Sequence, residues 1–462
     1  MNKEKKIILP LLLIILLSAA VIIGTNFSIS PLYDISFGDY YNNLTNGALV
    51  IGKGWSQGLL PYKDLFGLEG PLFYLIQRIG WTIGQTNGIL LLEILNLSLV
   101  EFLIYDIVSQ YCSTKKSLIY TLLSLFAYMA FASGGDNAME FALLPIVGCI
   151  DLVVIHDSMN DTIKGFLIGI LCGCALFNWI YAGIIGIGII LGYMLKKHKI
   201  SVLFPILIGS LIIAGIVCCY FMMQGALKDL IQGFMIVPMH GLFTSDSIIK
   251  TCAKGCFALV MAICVWLGKD HKNSLFLTLV GITTFICVII GEGEWHYFMI
   301  TIFALPVAMS YLDTRISWGS LIVIVVMCGI CIVPLKNSAS YVLNFDTETQ
   351  NEFTENIVEN VQNNDFDSVY IMNYPTYLYL ELDLVPANKY FYHQREIFGY
   401  DEEIYNEVID FLTDDYENGL VMYSSNGGIS WNIGNYYYVT GYAVNHYYIG
   451  IYAYEYESTD ID

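Results

Sequence analysis

The chain has 462 residues, of which 56% are hydrophobic and 13% charged, and a formal net charge of −20. An average soluble domain carries roughly 25% charged residues, so most of this chain must dissolve in lipid, and its acidity argues against a nucleic-acid partner. Length and apolarity together describe a polytopic α-helical membrane protein.

At the N-terminus, MNKEKK precedes the apolar run IILPLLLIILLSAAVIIGT, which is about the twenty residues needed to cross a hydrocarbon core. A signal peptide shares the basic start and apolar stretch. The run is long, however, and no small-residue cleavage site clearly follows, which favours an uncleaved helix. Further apolar runs lie at about 87–109, 117–134, 138–155, 164–178, 180–195, 201–222, 253–268, 274–290, 297–312 and 317–334. They predict about eleven transmembrane helices within a membrane domain of residues 1–335.

Basic residues fall at alternate connections: Lys115 with Lys116, Lys164, Lys196 with Lys197 and Lys199, Lys269 with Lys272, and Arg315. Cytoplasmic loops collect such residues, so the N-terminus is expected inside. The outer side then receives residues 27–86, the turn at 134–137, the 223–250 loop, GEGEWH at 291–296 and everything after about residue 335. Absent disulfides and low arginine agree with a bacterial plasma membrane.

Residues 336–462 differ from the rest, with 22 acids against 3 bases, so nearly all of the net charge resides there. This tail is rich in tyrosine, unlike disordered acidic tails. It contains the strand-like runs SVYIMN, GLVMYSS and YYIGIYAYEY and a helical pattern in EEIYNEVIDFL. A small extracytoplasmic α/β domain is expected. All 12 cysteines lie between Cys112 and Cys331, with no disulfide framework and no zinc-site spacing. There is no P-loop and no GxGxxG followed by an acid, which removes nucleotide hydrolysis as an energy source.

The first outer segment, 27–86, is longer than a simple connection requires. Tyr41, Leu44, Ala48 and Leu49 after Asp39 follow helical spacing, as for a short interfacial helix. Gly52, Gly54, Gly58 and Pro61 are expected to break it. PLFYLIQRIGWTIG then resumes as a second amphipathic helix, with Tyr74 and Trp81 suited to the interfacial belt and Arg78 to the headgroups.

Asp39, the glycine-broken linker and the stretch PYKDLFGLEGPLFYLI resemble the first outer loop of the GT-C superfamily of membrane glycosyltransferases. The protein O-mannosyltransferase and lipid A aminoarabinose transferase branch is nearest in pattern. The resemblance is good over the first hundred residues. It extends by layout to GGDNAMEFALLPIV at 134–147, with Asp136 and Glu140, and to HYFMITIFALP at 296–306, with His296 and Tyr297. Two positions depart from the family: Tyr40 follows Asp39 where a second acid is common, and Gly70 follows Glu69 where a lysine often stands.

The resemblance implies transfer of a sugar from a polyprenyl-phosphate donor to an extracytoplasmic acceptor, which is a lipid, a glycan or a protein. Asp39 would act as general base in an inverting displacement. Candidates to meet the departing phosphate are Lys63, Arg78, His240, Lys250 and His296, while Asp64, Glu69, Asp136, Glu140 and Tyr297 would bind substrate. Glu292, Glu294 and His296 are weak candidates for a divalent cation, and no other cofactor is implied.

Each residue also has a plainer role. Asp39 can cap the helix that follows, Asp64 and Glu69 can serve turns, Asp136 and Glu140 can complement a helix dipole, and Arg78 can snorkel to membrane lipids. A transporter or flippase of a lipid-linked sugar is the alternative class. Glu93, Glu101 and Asp106 inside the second span favour it, and the lack of a visible inverted repeat opposes it.

Overall fold

The computed structural model describes residues 3–25, 40–132, 135–240, 256–266, 271–290, 299–313, 355, 359, 368–372, 376, 378–392, 397, 401–412, 419–425, 436–444 and 447–454. Helices dominate the membrane part: α1 (Lys3–Thr25), α2 (Tyr40–Ser56), α3 (Pro71–Gly84), α4 (Thr86–Ser109), α5 (Thr114–Phe131), α6 (Ala138–Val154), α7 (Asp161–Asn178), α8 (Ala182–Lys197) and α9 (Leu203–Met223). They are followed by α10 (Cys256–Trp266), α11 (His271–Ile290) and α12 (Ala304–Asp313). A helix thus stands in each apolar run from 87 to 312, and the run at 317–334 lies outside the described residues.

Four helical stretches among the described residues are long and apolar enough to cross a membrane: Thr86–Ser109, Asp161–Asn178, Ile200–Met223 and Asn273–Ile290. The chain is a polytopic membrane protein. Helix α9 exposes Phe204, Leu211, Ile216 and Met223, as a lipid-facing helix should. Its contact with α7 runs through glycine: a Cβ on Gly169 would lie 2.0 Å from the Ile206 carbonyl oxygen, and one on Gly209 2.3 Å from that of Phe166. Small residues permit such close crossings where lipid supplies no hydrophobic drive between helices.

The bundle has two chemically distinct ends. One gathers the lysines: Lys197 pairs with Asp161 at 2.7 Å and Lys196 with Asp157 at 3.4 Å, and His156 lies 3.3 Å from Asp151. The other carries α2, the loop to α3, the turn before α6 and a segment of the tail.

Within the tail, strands β1 (Ser368–Met372), β2 (Gly419–Ser425), β3 (Tyr436–Val444) and β4 (Tyr447–Tyr454) form one sheet in the order β1-β2-β4-β3. The β1/β2 pair is parallel and the other pairs are antiparallel. Helix α13 (Glu402–Asp410) begins at Asp401, whose side chain accepts from the Glu403 amide.

Helix α2 departs from expectation. It continues through Gly52 and Gly54 to Ser56, and the chain turns only near Gly58, where φ is 104°. Gly52 is a packing residue: a Cβ there would meet Gln77 Cβ at 2.6 Å and the Gln77 carbonyl carbon at 2.7 Å. Gly52 lets α2 lie against α3, and Gly54 makes room for Leu65 of the loop that follows, whose Cδ1 would stand 2.4 Å from a Cβ there.

Candidate functional site

The loop joining α2 to α3 is tied down by its own polar groups. Asp64 Oδ2 accepts from the Leu60 amide at 2.8 Å, and the Tyr62 amide donates to the Leu65 carbonyl at 2.7 Å. Tyr62 is held in the left-handed region, φ 70°, where a bulky residue is strained. Its buried phenol donates to the Glu69 carbonyl at 2.7 Å, and its ring meets Tyr74 edge-on at 5.6 Å.

Glu69 is the focus of this arrangement. Its Oε2 accepts from the Tyr74 hydroxyl and its Oε1 from the Tyr392 hydroxyl at 2.6 Å, and its amide donates to Tyr74 Oη at 3.2 Å. Burial, and next the charge of Glu69, hold the phenols of Tyr62, Tyr74 and Tyr392 well above the usual tyrosine range. They remain protonated donors.

Gly70 follows and opens α3. Its amide donates to the Asn178 carbonyl at 3.1 Å, and a Cβ there would stand 2.0 Å from the Phe177 carbonyl oxygen. No lysine fits at that position. The C-terminal end of α7 occupies the space a side chain would need.

A second group of acids lies beside the first, where α3, α4 and α6 meet. Asp136, in the turn before α6, accepts from Gln77 Nε2 at 2.5 Å through Oδ1, and its amide donates to Glu93 Oε1 at 2.5 Å. Glu140, one turn on, accepts from the Tyr128 hydroxyl at 2.7 Å and from Asn137 Nδ2 at 3.3 Å, and the Glu93 carboxyl meets that of Glu140.

Burial pushes the Asp136 carboxyl well above the ordinary carboxylate range. The Gln77 bond opposes this, and the charges of Glu140 and then Glu69 add to it. The same electrostatic neighbourhood therefore joins the two groups. Asp136 Oδ2 and Gln77 Oε1 are buried without a hydrogen-bond partner among the described residues. This region is suited to a ligand that brings hydroxyls, which can donate to Gln77 Oε1 and pair with Asp136 Oδ2 in either of its protonation states.

The tail closes one side. Lys53, 1% exposed, reaches Asp383 Oδ1 at 2.7 Å and donates to the Tyr379 carbonyl at 3.2 Å. The Phe66 amide donates to the Lys389 carbonyl at 2.9 Å, and the Phe66 ring lies 5.3 Å from that of Tyr390.

Of the residues expected from sequence, Glu69, Asp136 and Glu140 come together. Asp64 serves the loop, and Lys63 is exposed with its Nζ 3.4 Å from the Gln224 carbonyl. Arg78 lies over Trp55, 5.3 Å from the ring centroid. His240 ends the short helix Val237–His240, and its side chain is outside the described ones. Asp39, Lys250, Glu292, Glu294, His296 and Tyr297 all lie outside the described residues. Among the described residues no group of three His, Cys, Asp or Glu is arranged to hold a metal ion.

Sequence reasoning passed over Tyr62, Gln77, Tyr128 and Tyr392 as site residues, considered Tyr74 only for the interfacial belt, and weighed Glu93 only for transport. Tyr62 and Tyr74 had a signal, since both flank Glu69 closely in the chain. Tyr392 had none, being 323 residues from its partner.

Residues 2–320 match the family described as competence-induced protein Ccs4 N-terminal domain. No curated protein matches the chain. Two solved structures of ArnT from Cupriavidus metallidurans are similar in fold. The apo form gives a TM-score of 0.60 at 11% identity, and the form bound to undecaprenyl phosphate gives 0.59 at 10%. Each comparison covers 94% of this chain and 97% of the other. The chain shares the fold of these ArnT structures.

Proposed function

From the premise that the chain belongs to the competence-induced protein Ccs4 N-terminal domain family and shares the fold of the ArnT structures, we propose that it is a membrane glycosyltransferase of the GT-C superfamily. It moves a sugar from a polyprenyl-phosphate carrier to an acceptor hydroxyl on a lipid, glycan or protein. The observation that carries this reading is the set of the buried Glu93, Asp136 and Glu140 with the half-buried Glu69 beside them, gathered at the same end of the bundle as the loop between α2 and α3. A sugar brings hydroxyls, which donate to Gln77 Oε1 and either donate to or accept from Asp136 Oδ2.

Asp39 immediately precedes α2, and in this reading it takes the proton of the attacking hydroxyl while the carrier phosphate leaves from the opposite face. The new glycosidic bond forms as the bond to phosphate breaks, and the anomeric centre inverts. The departing charge requires a cation, from Arg78, Lys63, His240, Lys250, His296 or a divalent metal. The acidic end of the bundle faces outward, where the carrier headgroup lies and no nucleotide sugar is present, and the tail sits on that side.

The test is transfer of labelled sugar from polyprenyl-phosphate donors to membrane extracts by the purified chain and by Asp39→Asn at equal folded amount. Loss of transfer in the variant with donor binding retained is expected. Unchanged transfer in the variant moves the base to another acid. A second reading, flipping of a lipid-linked sugar, is favoured by Glu101, buried within α4 and bonded to Ser124. It predicts donor movement across vesicles without transfer.

A further inference from the structure

The acidic tail reaches into the site. Tyr392 is buried and stands in the short stretch that crosses from the tail to the loop between α2 and α3. Three independent features fix it there. Its hydroxyl donates to Glu69 Oε1 at 2.6 Å. Its ring lies over Gly47 of α2, where a Cβ would stand 2.1 Å from Cδ2, so only glycine admits the ring. Just before it, the Lys389 carbonyl and the Tyr390 ring are held by Phe66.

The other carboxylate oxygen of Glu69 is taken by Tyr74, from α3 of the membrane part. Each oxygen of one half-buried carboxylate is therefore oriented by a buried phenol from a different part of the chain. A carboxylate oxygen has capacity for a second donor. Glu69 in this grip is a fixed acceptor, aimed by Tyr392 on one side and Tyr74 on the other.

We propose that Tyr392 is a positioning residue of the outer-loop site, which makes the acidic tail a working part of that site. Its phenol aims the Glu69 carboxylate at the substrate. The assignment rests on the transferase reading for what Glu69 touches. It does not rest on that reading for the bond itself.

The test compares the full chain with Tyr392→Phe, Glu69→Gln, the double variant and Asp383→Asn. Tyr392→Phe deletes one hydroxyl and keeps the ring on Gly47. Asp383→Asn weakens the neighbouring contact with Lys53 and leaves the partners of Glu69 in place. In sugar transfer, kcat is expected to fall about tenfold in Tyr392→Phe, the worth of one hydrogen bond to a charged group. The donor KM stays within about twofold, because a misaimed group costs turnover more than ground-state binding. Asp383→Asn keeps the wild-type kcat, and the double variant is no slower than Glu69→Gln. Equal losses in Tyr392→Phe and Asp383→Asn, or effects of Tyr392→Phe and Glu69→Gln that simply multiply, overturn the proposal and leave Tyr392 as a docking residue.

A wild-type chain that transfers no sugar from any donor sinks the transferase reading alone. Thermal unfolding in detergent then decides the bond between Tyr392 and Glu69. A loss in Tyr392→Phe that disappears in the Glu69→Gln background upholds it, and losses that simply add in the double variant overturn it.

Discussion

Carboxylates stand at both ends of this bundle, but in different company. At the lysine end, Asp157 and Asp161 meet Lys196 and Lys197, and Asp151 meets His156. At the opposite end, Glu69 is held by phenols, Asp136 by an amide and Glu140 by a phenol and an amide, and the acids lie close enough to feel one another. The first arrangement neutralises charge and anchors helix ends. The second keeps acid groups fixed, largely buried and unneutralised by their immediate partners, which costs stability and is characteristic of functional sites.

The contrast can be broken most severely at Gly70. Gly70→Ala pushes a methyl group into the Phe177 and Asn178 carbonyls, which are helix-end backbone and cannot swing aside. A loss of about 3 kcal/mol or more is expected, read as a lower unfolding temperature in detergent and poor recovery of folded protein. A Gly70→Ala chain as stable as wild type would mean that α7 does not press on this junction.

Tyr128→Phe removes the hydroxyl that donates to Glu140 at 2.7 Å. Inside a membrane bundle such a bond is worth about 1 kcal/mol. The expected loss is of that size in thermal unfolding, and it should largely vanish in a Glu140→Gln background if the two groups act as a pair.

Asp136→Asn tests the electrostatic half of the contrast through pH. The folded chain holds this carboxyl well above its ordinary range, so between the two values the native state binds the proton more firmly than the unfolded chain does. Its stabilising effect is present below the ordinary carboxylate range and is lost as pH rises through the folded value. Wild type should therefore lose stability relative to Asp136→Asn as pH rises from acid toward neutral. A constant difference between the two melting curves across pH would remove Asp136 as a buried titrating group.

The smallest effect belongs to the lysine end. Lys197→Ala breaks the 2.7 Å pair with Asp161, in which both side chains keep contact with solvent. A change below about 1 kcal/mol is expected, shrinking further in salt. A large effect there would erase the distinction between the two ends.

Much of the architecture was legible because it rests on local composition. The apolar runs from 87 to 312 became helices, and the runs SVYIMN, GLVMYSS and YYIGIYAYEY became strands of one sheet. Part of the site was legible too: Glu69, Asp136 and Glu140 attracted notice as acids beside glycine, proline or a helix start. The strand Tyr436–Val444 escaped notice. Gly52 and Gly54 continue the helix instead of breaking it, because a glycine that ends a helix and one that admits a neighbouring helix or loop look the same in one dimension.

From its sequence alone, this protein was bound to be a multi-helix membrane chain with an acidic, tyrosine-rich tail, since those properties follow from residue-by-residue transfer between water and lipid. Tertiary structure decided the rest. It put Gly70 against the end of α7, where no lysine can stand, and set Arg78 on Trp55. It also delivered Tyr392 from the tail to Glu69. A carboxylate takes whichever donor the packing brings within about 3 Å, and nothing in the order of residues specifies that a donor 323 positions away will be the one.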